Sequence, residues 1–159
     1  MGSGKTTLGH ECARRLRCSF FDMDHELEKE HLLSIPQIFT QLGEEQFRSW
    51  ETDLLKRISG KENLVVATGG GLPCFHNNME LLNQSGITIY LKLSTATIFE
   101  RLSKRRGTRP LILNYSDTEL KEYILSTLAR REPFYLQASH IIDAEMISAQ
   151  DLVQFISPM

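Results

Sequence analysis

Residues 2–7 read Gly-Ser-Gly-Lys-Thr-Thr, and an apolar stripe of helical period, Leu8, Cys12 and Leu16, follows at once. Glycines of this kind let backbone N–H groups turn inward around phosphate oxygens. Lys5 adds a point charge suited to the β- and γ-phosphates, and Thr6 offers a hydroxyl to Mg²⁺. The helix that begins here aims its positive end at the same place. Gly2, Ser3, Gly4, Lys5, Thr6 and Thr7 are therefore the candidate nucleotide-binding residues, with Lys5 also a catalytic candidate.

The rest of the chain alternates strand and helix patterns. Ser19 to Asp22 and the unbroken apolar run Leu64 to Ala67 read as strands, as do Ile87 to Leu93 and His140 to Asp143. Helical patterns run from Ile35 behind a Ser34 cap to Leu42, and from Glu44 to Ile58. Others cover Met79 to Leu82 and Thr95 to Lys104. One opens at a Ser116/Glu119 capping box and shows Leu120, Ile124 and Leu128 in register; another closes the chain, with Ala149, Leu152, Val153 and Ile156. The expected architecture is α/β: a single domain over 1–159 with a parallel sheet covered by helices on both faces. Arg106 to Tyr115 keeps no period and reads as a mobile excursion.

Composition narrows the partners. A net charge of −2 lacks the global basic excess of a nucleic-acid binder, and no apolar run is long enough to span a bilayer. Three scattered cysteines suit neither a disulfide framework nor a zinc cluster, and read as idle thiols in a reducing compartment. The five basic residues within Arg101 to Arg109 suit a small anionic ligand, with a solvated helix face as the plainer alternative.

The phosphate-binding pattern, G-x-x-x-x-G-K-[ST], lacks its leading glycine, which would fall before Met1, as would the strand that feeds the loop. Without that central strand the sheet is split. The expectation is a reading frame that starts about ten residues earlier, because the defect is costly in unpaired backbone; a trimmed form is the alternative.

Further candidates come from residue chemistry. Asp22 and Asp24 sit at a strand end, where open α/β sheets place ligand groups. One can hold Mg²⁺ through water and the other receive a hydroxyl, although Asp24 could also simply cap a helix. Arg48 lies among Phe47, Trp50 and Leu54, and Arg131 lies just past a predicted helix, next to Pro133. Two arginines from distant segments suit a small carboxylate, because each planar fork gives paired charge-assisted hydrogen bonds. Surface salt bridges are the plainer alternative. Gly69-Gly70-Gly71 ends a buried strand and lets a ligand approach the backbone.

Five separated pieces resemble the shikimate kinase family: MGSGKTT at 1–7, Asp22-Met23-Asp24, GEEQFRSWE at 43–51, TGGG at 68–71, and TRPLI at 108–112 with ARREPFY at 129–135. The resemblance covers the whole chain except the missing strand. It implies a P-loop fold with ATP and Mg²⁺ as cofactors, and transfer of the γ-phosphoryl group to the 3-hydroxyl of shikimate in the chorismate pathway to aromatic amino acids. It further implies a cytoplasmic, monomeric enzyme without nucleic-acid or membrane partners. By the same resemblance Asp22 and Thr6 are on the metal side, and Asp24 binds the acceptor hydroxyls and takes a proton. Arg48 and Arg131 hold the carboxylate, Gly70 and Gly71 touch the substrate, and Arg109 is a lid arginine acting on the phosphates. A basic residue against adenine is Arg101 or Arg106. The lid spans about 106–117 and the substrate-binding helical region about 24–58. Ile142-Asp143-Ala144 resembles the start of the adenine loop, without its following proline. The rival readings are a kinase for another polyol acid, such as gluconate, and a nucleotide-binding regulatory module without catalysis.

Overall fold

The computed structural model describes residues 2–105, 107 and 112–156. Gly4, in the left-handed region at φ 80°, turns the chain into α1 (Lys5–Leu16), and β1 (Ser19–Asp22) follows. A glycine is needed there because an L side chain would strain that backbone. Three helices come next, α2 (Met23–His31), α3 (Ile35–Leu42) and α4 (Glu44–Ile58). The Ser34 hydroxyl and Gln37 side chain form a reciprocal capping box that starts α3. After β2 (Leu64–Ala67) the chain passes through the three glycines into a 3₁₀ turn, Leu72–Cys74, and then α5 (Asn78–Ser85). The second half holds β3 (Ile89–Lys92), α6 (Thr95–Lys104), α7 (Asp117–Tyr135), β4 (His140–Asp143) and α8 (Ala149–Ile156).

The α/β class and its parallel pairing agree with the sequence, and so does the division of the sheet. Among the described residues β1 pairs with β2, Ser19 opposite Leu64, and β3 pairs with β4, Ile89 opposite His140; the two pairs are separate parallel sheets. This is the split expected when the central strand is missing.

Three apolar clusters hold these pieces. Met23, Leu27, Ile38, Phe47, Leu54, Leu55, Ile58 and Leu72 form one around α2, α3 and α4. Leu93, Ile98, Leu102, Leu120 and Ile124 join α6 to α7, and Cys12, Ile142, Ala149 and Leu152 join α1 to α8. Each fully buried Leu or Ile stabilises its cluster by about 1.5–3 kcal/mol.

Three expectations need correcting. The segment after Asp22 is a helix whose cap is Asp22, not Asp24: Asp22 Oδ1 accepts from the backbone N–H groups of Asp24 and His25. Arg131 is inside α7, which continues through Pro133 to Tyr135. Proline removes one backbone donor, but the helix end is closed by Leu136 N–H to Glu132 and by Tyr135 packing its ring on Tyr90. The β3 strand is also shorter than its apolar run, starting at Ile89 rather than Ile87.

Candidate active site

The end of β1 brings the two aspartates to the head of α1. The Thr6 hydroxyl donates to Asp22 Oδ2 at 3.1 Å, so the two oxygen-bearing groups expected beside a metal are adjacent. Asp24 turns inward from the first turn of α2. Burial pushes its carboxyl above the ordinary range, Lys5 pulls it down, and Asp22 and Glu28 push it up again. Lys5 is thus electrostatically coupled to Asp24.

Arg48 is 6% exposed, more deeply buried than a guanidinium emerging at the edge of packed surface. Its Nη1 donates to Glu51 Oε2 at 2.6 Å, and its Nε and Nη2 donate to Glu44 Oε1 at 3.1 and 2.9 Å. The Arg48 Cζ lies 4.4 Å from the Phe75 ring centroid. Burial opposes its charge, but the bonds to Glu51 and Glu44 hold it protonated. Glu51 is 1% exposed; burial pushes its carboxyl up to about 6 despite the hydrogen bond and charge of Arg48.

The three glycines join these groups. A Cβ on Gly69 would meet Asp24 Oδ1 at 2.6 Å and Glu51 Oε1 at 2.9 Å; on Gly70 it would meet Arg131 Nη1 at 3.0 Å; on Gly71 it would overlap the Arg48 guanidinium, with Cζ at 2.6 Å. At each glycine the end of a charged side chain comes so close to the backbone that a Cβ would push it aside, most at Gly71 and least at Gly70. The carbonyls are all engaged: Gly69 accepts from Leu72 N–H, Gly71 from Cys74 N–H, and Gly70 from the Tyr135 hydroxyl. Among the described residues the three glycine N–H groups make no protein hydrogen bond. The result is a backbone surface with donors left over, beside two guanidinium groups and a carboxylate.

The structure thus gathers Asp24, Arg48, Gly70, Gly71 and Arg131, and couples Lys5 to them through Asp24. Gly2 to Gly4 form the loop before α1, and Thr7 lies exposed on its first turn. Arg101 lies against the same loop, its Nη1 donating to the Gly2 carbonyl at 3.2 Å. Arg106 and Arg109, with much of the expected lid, lie outside the described residues. At the expected adenine loop, Asp143 Oδ1 accepts from Glu145 N–H, and Glu145 accepts from Ser94 N–H and the Thr97 hydroxyl at the start of α6.

Sequence reasoning missed Glu51, Phe75 and Tyr135. Glu51 was within reach, since it is three residues from Arg48 on one helix, the spacing of side-chain neighbours. Phe75 and Tyr135 gave no local signal, because their partners are distant in sequence.

The shikimate kinase family model matches residues 1–157. The shikimate kinase of Parabacteroides distasonis is 41% identical, over 99% of this chain and 91% of that protein. That of Azobacteroides pseudotrichonymphae is 42% identical, over 99% of this chain and 94% of the relative. Among solved structures, the Bacteroides thetaiotaomicron shikimate kinase superposes with a TM-score of 0.92 at 38% identity, covering 98% of this chain and 90% of its own. The Acinetobacter baumannii enzyme in complex with shikimate gives 0.85 at 37% identity, covering 98% of this chain and 86% of its own. On a family match over nearly the whole chain and relatives at about 40% identity, this chain belongs to the shikimate kinase family of ATP-dependent kinases.

Proposed function

We propose that Asp24, Arg48, Arg131 and the glycine turn hold shikimate, and that Lys5 and the loop of residues 2–7 hold ATP, for transfer of the γ-phosphoryl group to the shikimate 3-hydroxyl. The observation that carries this reading is the glycine turn, with its carbonyls bonded, its N–H groups unspent among the described residues, and two arginines and Asp24 packed against it. Arg48 spends three of its five donors on Glu44 and Glu51, which leaves two for a carboxylate. Arg131 supplies the second fork from α7. The carboxylate end is thereby fixed, and the acceptor hydroxyl is turned toward Asp24, a buried carboxylate placed to accept its proton.

The Thr6 hydroxyl and Asp22 carboxylate, 3.1 Å apart, are hard oxygen donors of the kind Mg²⁺ takes, usually with one or two carboxylates and substrate phosphates completing its shell. Bound there, Mg²⁺ supplies charge neutralisation on the phosphate oxygens. Lys5 holds the phosphates from the other side. Arg101, against the loop, is the basic residue of the nucleotide side, and Arg109 is the lid arginine that adds positive charge as the phosphoryl group moves. The same reading assigns about 106–117 to a lid and about 24–58 to binding the acceptor.

The same reading makes the chain a cytoplasmic, monomeric enzyme with no nucleic-acid or membrane partner. Its near-neutral charge and three free cysteines support this. Among the described residues no helix is long and apolar enough to cross a membrane.

Coupled ADP-release kinetics of Arg48→Ala and Arg131→Ala test the assignment. Each should raise the KM for shikimate roughly 10- to 150-fold, the worth of a charge-assisted hydrogen bond of about 1.5–3 kcal/mol. The KM for ATP should stay within two-fold. Gluconate should not replace shikimate in the parent. An unchanged shikimate KM in both variants would remove the arginines from the acceptor site.

A further inference from the structure

Tyr135 has no role in the reading above, yet its hydroxyl donates to the carbonyl of Gly70 at 2.5 Å, across 65 positions of sequence. It stands four residues after Arg131 on α7, so both side chains leave the same helix face. The two flank the same glycine, since a Cβ on Gly70 would lie 3.0 Å from Arg131 Nη1 and 3.3 Å from the Tyr135 hydroxyl. The ring is itself held, packing on Tyr90 with centroids 5.1 Å apart. Tyr90 in turn donates to Glu132, which pairs with Lys92 on β3. Burial raises the Tyr135 phenol, so it remains a donor through the neutral range.

A trans peptide is planar, so its carbonyl and the next N–H point in opposite directions. Fixing the Gly70 carbonyl on Tyr135 therefore also fixes the Gly71 N–H, on the opposite side of that peptide. Leu72 and Cys74 N–H groups hold the carbonyls of Gly69 and Gly71 on either side, but no side chain on Gly70 or Gly71 restrains the peptide between them. A rotated peptide would present its carbonyl oxygen to the groove between Arg48 and Arg131, where an anion is to sit.

We propose that Tyr135 is a positioning residue for the acceptor, locking the Gly70–Gly71 peptide so that its carbonyl stays out of the carboxylate site formed with Arg131. The proposal rests on the carboxylate reading given above.

The test is Tyr135→Phe, which keeps the ring and removes only the hydroxyl, assayed with shikimate, with a shikimate carboxamide lacking the negative charge, and with varied ATP. The KM for shikimate should rise about five- to ten-fold, the loss of one hydrogen bond. kcat, the KM for ATP and the KM for the carboxamide should each stay within two-fold. An unchanged shikimate KM overturns the proposal, as does an equal rise for shikimate and carboxamide, which would mean general loosening. The parent serves as the separate control. If it does not prefer shikimate over the carboxamide, the carboxylate reading fails and takes the proposal with it; if it does and Tyr135→Phe behaves as the parent, only the proposal fails. Should Tyr135→Phe not fold, Gly70→Ala disturbs the same peptide, and the same shikimate-selective rise is expected; its absence overturns the proposal.

Discussion

Glu51 is a carboxylate with almost no access to water, lying between an arginine it neutralises and an aspartate it repels. Its carboxyl is raised from 4.5 to about 6, first by burial, with Asp24 adding to it and Arg48 and Arg131 opposing. A raised acid binds more protons folded than unfolded between those two values, so stability must fall as pH rises through that window. The size is about 2 kcal/mol for a shift of this magnitude. Urea unfolding from pH 4 to 7 should therefore show this decline in the parent, and Glu51→Gln should show a shallower one, the raised Asp24 carboxyl keeping its own share. The acids held low by arginine or by serine hydrogen bonds, Glu11 at about 2 among them, titrate below the window and add stability earlier on the pH scale. A variant with the parent's slope would contradict the burial argument. At this scale the sequence singled out Asp24, Arg48 and Arg131 as candidates by residue type, and the structure brings them together at the glycine turn. Glu51 and Tyr135 stayed hidden, since a glutamate in a helix or a tyrosine near a helix end has many ordinary uses.

Among the elements, the turn after β2 brings the most charged groups against the fewest residues. Gly71 has φ −88°, which any residue adopts, so Gly71→Ala is purely a steric change. The new Cβ would displace the Arg48 guanidinium from the turn. The expected outcome is a KM for shikimate raised at least about ten-fold, with little loss of stability because the far end of a side chain can move. Gly43→Ala should do the reverse. Nothing lies within 4 Å of its Cβ, but φ +86° disfavours any L side chain, so it should cost roughly 1–2 kcal/mol of stability with the shikimate KM unchanged. Melting curves and steady-state kinetics on the two variants separate close approach from backbone strain.

Element boundaries were legible where chemistry marks them. The Ser116/Glu119 capping box was readable and is formed, with the Ser116 hydroxyl accepting from Glu119 N–H. Helix α2 was not, because its nine residues show only Met23 and Leu27 as a buried pair among charges. The end of α7 was misjudged because proline is a helix breaker on average, whereas here tertiary contacts of Tyr135 carry the helix past it.

At the scale of the whole molecule, the site is assembled from parts that belong to different cores. Asp24, Arg48 and Glu51 stand on the cluster around α2 and α4, Arg131 and Tyr135 on the cluster of α6 and α7, and Lys5 on the helix packed against α8. Parallel pairing and the α/β class could be read from apolar runs, and the split into two sheets matches the expectation drawn from the incomplete glycine-rich motif. A ligand held by both arginines links two of these clusters and stabilises them together. At 100 times its Kd, shikimate should stabilise the protein by about 2.7 kcal/mol. That corresponds to a rise in Tm of about 5–10 °C for a domain of this size. Arg131→Ala at the same concentration should show little rise, and gluconate none. A parent Tm indifferent to shikimate would mean that the clusters are not bridged by it.

The most direct measurement is a crystal structure of the chain with shikimate bound. The shikimate carboxylate should lie about 2.7–2.9 Å from guanidinium nitrogens of both Arg48 and Arg131. Its ring should rest on the glycine turn, with the 3-hydroxyl beside Asp24. A carboxylate bound by other groups, with the hydroxyl directed away from Asp24, would contradict the assignment of this site.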